Sequence, residues 1–275
     1  MLSRAFKVIG LDHFLDHLNA HARRLVFGNM INAIGMGLTM TLFLVYLKTI
    51  RGFSGGFSGL VLSYSALFAM VINPIVGILI DKYGGRIVLI FGLFIKSIGV
   101  FALAFVESKP QVFAVATILA IGDAANWPSQ TVCLTRLVEE EARQKVFAFN
   151  FMALNLGIGI GGIISALIVS AGELSTFQKL YWMDALTYFI YAAFAISLPA
   201  WVGQRLNKED KQSGSYREVF KNKELMKLSK ASVLLVLFGY ASVSAGLPLF
   251  ITSVLGASPK WLGLIWAANC FGIIL

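Results

Sequence analysis

Runs of about twenty apolar residues recur along this chain, separated by short polar connections, and no soluble fold accommodates that pattern. A hydrocarbon core of about 30 Å is crossed by about 20 residues of helix. In lipid every backbone N–H and C=O has to be paired inside the protein, so only helices and closed barrels span it. Barrel strands alternate over about ten residues, whereas the runs here are longer and continuously apolar. Spans are expected at residues 25–47, 57–80, 87–106, 111–134, 146–171, 180–200 and 231–255, with an eighth beginning at Trp261. The fold class that follows is an all-α, polytopic membrane protein. Charged residues make up 13% of the chain against about 25% in soluble domains, which excludes a soluble enzyme, a disordered chain and a disulfide scaffold.

The net charge of +9 would suggest nucleic acid in a soluble domain. Here the basic residues lie between the spans, no nucleic-acid motif is present, and orientation explains them. Seventeen Lys and Arg fall on the side of the N-terminus, of Lys82, Arg86, Arg136, Arg143 and Lys145, and of the long polar stretch 201–229 with the adjoining Lys230. Five (Lys48, Arg51, Lys109, Lys179, Lys260) fall on the other side, and Lys96 lies inside the third span. The positive-inside rule puts the N-terminus and the linker in the cytoplasm. No removed signal peptide is expected, because the N-terminus has no compact apolar core followed by a small-residue cleavage site.

Four regions are expected: a cytoplasmic amphipathic segment (1–24), a six-helix bundle (25–200), a cytoplasmic linker (201–229) and the first one and a half helices of a second bundle (230–275). In the first region His13, His17 and His21 recur at a spacing that suits imidazole pairs on a metal ion. Their setting reads instead as an amphipathic surface helix. Cys133 and Cys270 fall within apolar spans and read as packing residues. At an offset of 204 residues, Ser58-Gly59-Leu60-Val61-Leu62 stands opposite Leu262-Gly263-Leu264-Ile265-Trp266, a weak internal match of the kind that parallel half-repeats leave. Two such halves need about 400 residues. The eighth span reaches only about 21 Å at 1.5 Å per residue, so the 275-residue chain is expected to be a fragment or truncated product with no transport of its own.

The sharpest motif runs from Gly77 to Leu89 (Gly77-Ile78-Leu79-Ile80-Asp81-Lys82-Tyr83-Gly84-Gly85-Arg86-Ile87-Val88-Leu89). Two spans are joined here by a few residues, and Gly84 and Gly85 are expected to supply the positive φ of a tight turn. Asp81 and Arg86 are expected to satisfy each other or the helix ends. The run resembles the signature loop of the major facilitator superfamily, Gly-x-Leu-Ala-Asp-Arg-x-Gly-Arg-Lys-x-x-Leu. Gly77, Leu79, Asp81, Gly84 and Leu89 match, Lys82 and Arg86 match in charge, and Gly85 stands where a basic residue is usual. The resemblance implies a six-helix bundle of that family's type. It also implies alternating access, with Gly77, Asp81, Lys82, Gly84 and Arg86 forming a conformational-switch loop that docks near a second bundle.

In the fifth span Gly157 and Gly161 lie four residues apart on one face and allow close helix approach. The stretch Asn155–Gly162 is similar to the antiporter signature Gly-x-x-x-Gly-Pro-x-x-Gly-Gly of drug exporters, with Gly162 in place of the Pro and Ser165 and Ala166 in place of the final glycines. Residues 184–189 of the sixth span look like the Asp-Ala-Leu-Ser-Phe run of macrolide- and siderophore-exporter relatives.

The fourth span is polar in its middle, with Asp123, Asn126 and the helix-kinking Pro128. A carboxylate at that depth is a functional candidate by default, and Asp123 is expected to take and release protons. The Arg that family exporters carry four residues before Gly122 is replaced by Ile118. Asn29, Asn32, Thr39, Tyr46, Tyr64, Tyr240 and Ser244 are expected to line one cavity, which the resemblance places among helices one, four, seven and ten. Lys96 is expected to snorkel or pair, and Asp184 to be interfacial.

These readings describe a secondary transporter of a cytoplasmic membrane that exports small amphipathic compounds. Its partners would be a small-molecule substrate, protons or another coupling ion and the lipid bilayer. No cofactor, metal or nucleic acid is expected. A membrane enzyme is the first rival, and the chain has no phosphate loop, zinc cluster or paired catalytic groups to support it. The second is a truncated, non-transporting remnant or an interaction subunit.

Overall fold

The computed structural model describes residues 18–170, 172–203, 221–240, 243 and 246–274. The chain forms a bundle of antiparallel helices: α1 (Ala20–Thr39), α2 (Gly55–Tyr83), α3 (Gly85–Leu103), α4 (Lys109–Leu137), α5 (Arg143–Ile168), α6 (Leu174–Ile196), α7 (Lys223–Leu235) and α8 (Lys260–Ile274). A turn at residues 40–42, Phe43–Val45 and a π-turn at Tyr46–Ile50 extend α1 into a rod of 31 residues. That rod, α2, α3, α4 and Glu140–Ile168 are five helices long and apolar enough to cross a membrane. α6 is of similar length but carries Lys179, Asp184 and three tyrosines along its apolar run.

Local chemistry sets the ends. The Asn19 carboxamide oxygen accepts from Ala22 N at 2.8 Å, and its amide donates to Leu137 O at 2.6 Å, tying the start of α1 to the end of α4. Ser54 Oγ accepts from Phe57 N at the start of α2. Gln111 reaches back to Glu107 N and Ser108 N at the start of α4; both arrangements satisfy orphan donors of a first helical turn. α2 and α3 are joined by Gly84 alone, whose φ of +87° only glycine adopts without strain. Gly85, also expected to have positive φ, has an ordinary one and is the first residue of α3. A side chain there would press against Val132 and the Ser129 carbonyl of α4.

α1 packs on α5 and α6, α3 on α4 and α6, and α2 on α4. Leu25, Leu38, Leu89, Leu93, Leu134, Leu180 and Tyr191 fill the interior. Leu67, Met70, Phe91, Ile98, Leu167 and Leu186 are exposed on the outside, while Asn29, Asn32, Gln130, Asn150 and Asp184 are buried. The outside is thus as oily as the inside and the polar groups are enclosed, as lipid requires. Gly157 and Gly161 face α1: a Cβ on Gly157 would lie 2.6 Å from Met30 O, and one on Gly161 would overlap Ile34 O.

Where the seventh span is expected (231–255), the described residues form the second part of α7, a π-turn at Val236–Tyr240, a short helical turn at Leu247–Leu249 and a π-turn at Phe250–Val254. Pro248, which lacks an N–H, stands at the start of the short turn. α8 packs on α5 and crosses it backbone to backbone, since a Cβ on Gly162 would lie 2.6 Å from Gly263 O. The Pro of the antiporter signature would collide with α8 at that point.

Candidate functional site

Three ionisable side chains, each half-way along its helix, line one cavity. Lys96 of α3 is buried, and its ammonium hydrogen-bonds Asp123 Oδ2 of α4. Insertion scales put a charge at the membrane centre at about 2.5–3.5 kcal/mol, so each partner removes much of the other's penalty. The close approach is built by Gly122, where a Cβ would lie 2.7 Å from Lys96 Cβ. The Lys96 side chain is 11% exposed and that of Asp123 60%, so one end of the pair is enclosed and the other opens to space between helices. Of the two outcomes foreseen for Lys96, the structure shows pairing.

The pair belongs to two cavities at once. One, of about 260 Å³, lies among α1, α3, α4 and α6 and is lined by Thr39, Lys96, Asp123, Tyr181, Asp184 and Tyr188, with apolar neighbours such as Met36 and Val100. The other, of about 350 Å³, lies toward α2 and is lined by Leu62, Ser65, Ala66 and Ala69 together with Phe43, Lys96 and Asp123.

Asp184 corrects an expectation. It is not interfacial: it is 2% exposed, because α6 runs from Leu174 to Ile196 and places this residue near its middle. Thr39 Oγ1 donates to Asp184 Oδ2 at 2.5 Å. Oδ1 has no hydrogen-bond partner among the described residues, and it is accommodated by Gly35, where a Cβ would stand 2.6 Å away.

The other polar residues do not gather in one cavity as expected. Asn29 and Gln130 both donate to Asn150 Oδ1, at 3.1 and 3.2 Å, in a buried knot of α1, α4 and α5. Tyr64 hydrogen-bonds Thr117 at 2.6 Å between α2 and α4. Tyr46 donates to Leu103 O and accepts from Arg51, which also donates to Ala104 O, fastening the far end of α1 to that of α3. Asn32 is buried in α1, and Asn126 has a buried, unpartnered Oδ1 on α4. The side chain of Tyr240, and Ser244, lie outside the described residues, as do His13, His17 and most of the segment 1–24. Among the described residues no three His, Cys, Asp or Glu could share a metal ion.

At the α2–α3 turn Arg86 donates to the Ala195 and Ile196 carbonyls, at 3.3 and 2.6 Å, capping the C-terminus of α6. Gly84 touches the Gly203 carbonyl so closely that a Cβ would overlap it, and Arg136 reaches the neighbouring Val202 O. The loop is therefore bolted to the end of α6 within its own bundle. Asp81 is exposed, Lys82 stands 5.0 Å from the Tyr83 ring centroid, and Gly77 faces open space. Arg86 satisfies a helix end, while Asp81 does not meet it.

Sequence reading missed the partners of Lys96 and Asp184 and the roles of Gln130 and Asn150. A signal was present for Lys96 and Asp123, which each fall near the midpoint of their expected spans and so share a depth; for Asp184 the expected span 180–200 hid it.

Comparison with known proteins gives a family, two relatives and a similar fold. The family described as Major Facilitator Superfamily matches residues 25–275. The chain is 29% identical over 160 residues to "Multi-drug resistance efflux pump PmrA homolog" of Lactococcus lactis subsp. lactis (strain IL1403), covering 56% of this chain and 39% of that protein. It is 23% identical over 268 residues to "Uncharacterized MFS-type transporter YqjV" of Bacillus subtilis (strain 168), covering 91% and 61%. The chain thus spans between about two fifths and three fifths of the length of these relatives. In fold it is similar to a bacterial homolog of the human lysosomal transporter Spinster in an inward-facing and unoccupied conformation, with a TM-score of 0.71, 14% identity, and coverage of 90% of this chain and 58% of that one.

Proposed function

Because this chain belongs to the Major Facilitator Superfamily, we propose that the whole carrier containing this sequence is a secondary active transporter that exports small amphipathic compounds by alternating access. The observation that carries this reading is the Lys96–Asp123 pair, which borders two cavities inside an apolar bundle. A buried ion pair is often no more stabilising than apolar side chains of the same size, so one that is kept inside a bundle invites a functional explanation. One that opens on a cavity can exchange its partner for a cationic or polar guest. The printed name of the Lactococcus relative, an efflux pump homolog, supports export as the direction.

In this reading Asp123 takes part in coupling to protons or another ion. Asn126, Asn32 and Tyr240 contribute to the substrate path. Gly77, Asp81, Lys82, Gly84 and Arg86 form a loop whose docking depends on the state of the carrier, and Gly157 and Gly161 hold α5 against α1. The protein works as a carrier and not as an enzyme, in a cytoplasmic membrane, with the α2–α3 and α4–α5 connections on the cytoplasmic face, where Lys82, Arg86, Arg136, Arg143 and Lys145 collect.

The test is ethidium efflux from cells that lack their own exporters and express the whole carrier containing this sequence. Dye loss is expected to be faster than in the empty-vector strain, to stop on addition of a protonophore, and to fall several-fold in Asp123→Asn. Efflux equal to that of the empty-vector strain, with the protein present in the membrane, counts against export. Wild-type efflux from Asp123→Asn removes that residue from coupling.

A further inference from the structure

Asp184 poses a charge problem that the Lys96–Asp123 pair leaves unsolved. Its carboxyl group is enclosed between α1, α3 and α6 and lines the 260 Å³ cavity. Thr39 satisfies Oδ2; Oδ1 has no donor, and the Tyr181 hydroxyl beside it is also buried and unpartnered. The charged groups that face Asp184 from the helices around it are Lys96 of α3 and Asp123 of α4. α1 brings the Thr39 hydroxyl and, beyond Tyr181, the Tyr46 phenol, and α6 itself brings Tyr181 and Tyr188.

The cluster therefore holds one cation and two carboxylates, and the cation is already engaged. Lys96⁺ with Asp123⁻ is neutral, so an ionised Asp184 would stand as a net negative charge in an apolar interior, with one oxygen bare. Such a charge neutralises or acquires a counterion. A proton is the counterion that needs no additional space.

We propose that Asp184 carries the exchangeable proton of this cavity, and that Lys96 moves its ammonium from Asp123 to Asp184 when that proton leaves. In the step the O–H bond of the Asp184 carboxyl breaks, the proton passes to water in the cavity, and both bonding electrons stay on the carboxylate. Lys96 remains an ammonium throughout. The protonated cluster is neutral and the deprotonated one carries a single negative charge shared by Asp123 and Asp184. The deprotonated form is thus the one that attracts a cationic guest. This last consequence rests on the export reading above; the protonation of Asp184 does not.

The test is infrared difference spectroscopy of the purified protein in lipid nanodiscs during a pH step, reading the C=O stretch of protonated carboxyl groups. Wild type is expected to show a titrating carboxyl band. Asp184→Asn is expected to abolish it and Asp184→Glu to restore it at a shifted frequency. Thr39→Val, which removes only the hydrogen bond to Asp184, is expected to shift the band without removing it, and it serves if Asp184→Asn does not fold. Asp123→Asn, which releases Lys96 toward Asp184, is expected to weaken the band several-fold at the same pH. A band unchanged in Asp184→Asn, or unmoved in Thr39→Val, assigns the proton elsewhere and overturns the proposal. A band unchanged in Asp123→Asn overturns the Lys96 exchange. Efflux without the band sinks this inference alone, and the band without efflux sinks the export reading alone.

Discussion

Asn150 is the residue on which three helices meet, since a single amide oxygen accepts from Asn29 of α1 and Gln130 of α4. Interhelical hydrogen bonds in membranes average about 0.6 kcal/mol and reach about 1.7. Asn150→Leu, which keeps the branching of the side chain and removes the acceptor for two buried donors, is expected to cost about 1–2 kcal/mol. Reversible unfolding in mixed micelles reads it directly, and an unchanged free energy would show that the amides find other partners. This knot was only half legible in the sequence. Asn29 announced itself as a polar residue in an apolar run, but Gln130 and Asn150 lie near the ends of α4 and α5, where polar residues are ordinary. What links them is the relative register of three helices, set by tertiary packing. The Lys96–Asp123 pair was hidden in the same way, because the contact of Gly122 with Lys96 that brings the two together is a property of neither span alone.

The spans themselves were legible to within a few residues, because long apolar runs report directly on burial in lipid. The exceptions are the seventh span, expected over 231–255 where α7 already begins at Lys223, and α6, expected over 180–200 and found at Leu174–Ile196. Its first turns hold Ser175, Thr176, Gln178 and Lys179, which lower the hydropathy without breaking the helix, and the shifted boundaries turned a buried Asp184 into an apparently interfacial one. The turn after α2 was read correctly as glycine-dependent but with the burden on two glycines. Gly84→Ala forces a side chain into a left-handed conformation, at about 1–2 kcal/mol, and against the Gly203 carbonyl as well. It is expected to lower the melting temperature of the detergent-solubilised protein clearly more than Gly85→Ala, whose Cβ meets mainly the Val132 side chain. Equal shifts would mean that the turn adjusts to a different backbone path.

For the whole molecule, an all-helical bundle with an apolar exterior and enclosed polar groups follows from the repeated runs. Its sidedness is an expectation that the distribution of Lys and Arg sets. Single cysteines at Glu107 and Glu140, both exposed in connections at opposite ends of α4, are expected to react with an impermeant maleimide from opposite compartments. Reaction of both from one side would reverse the order of the spans. The crossing of α5 and α8 at Gly162 and Gly263 carries a further consequence. Helices that interlock through side chains behave like meshed gears, and turning one on the other means lifting teeth out of their sockets. Here bare backbone lies on bare backbone at the crossing itself, with no tooth at that point, so a single methyl group on either glycine would wedge the two rods apart.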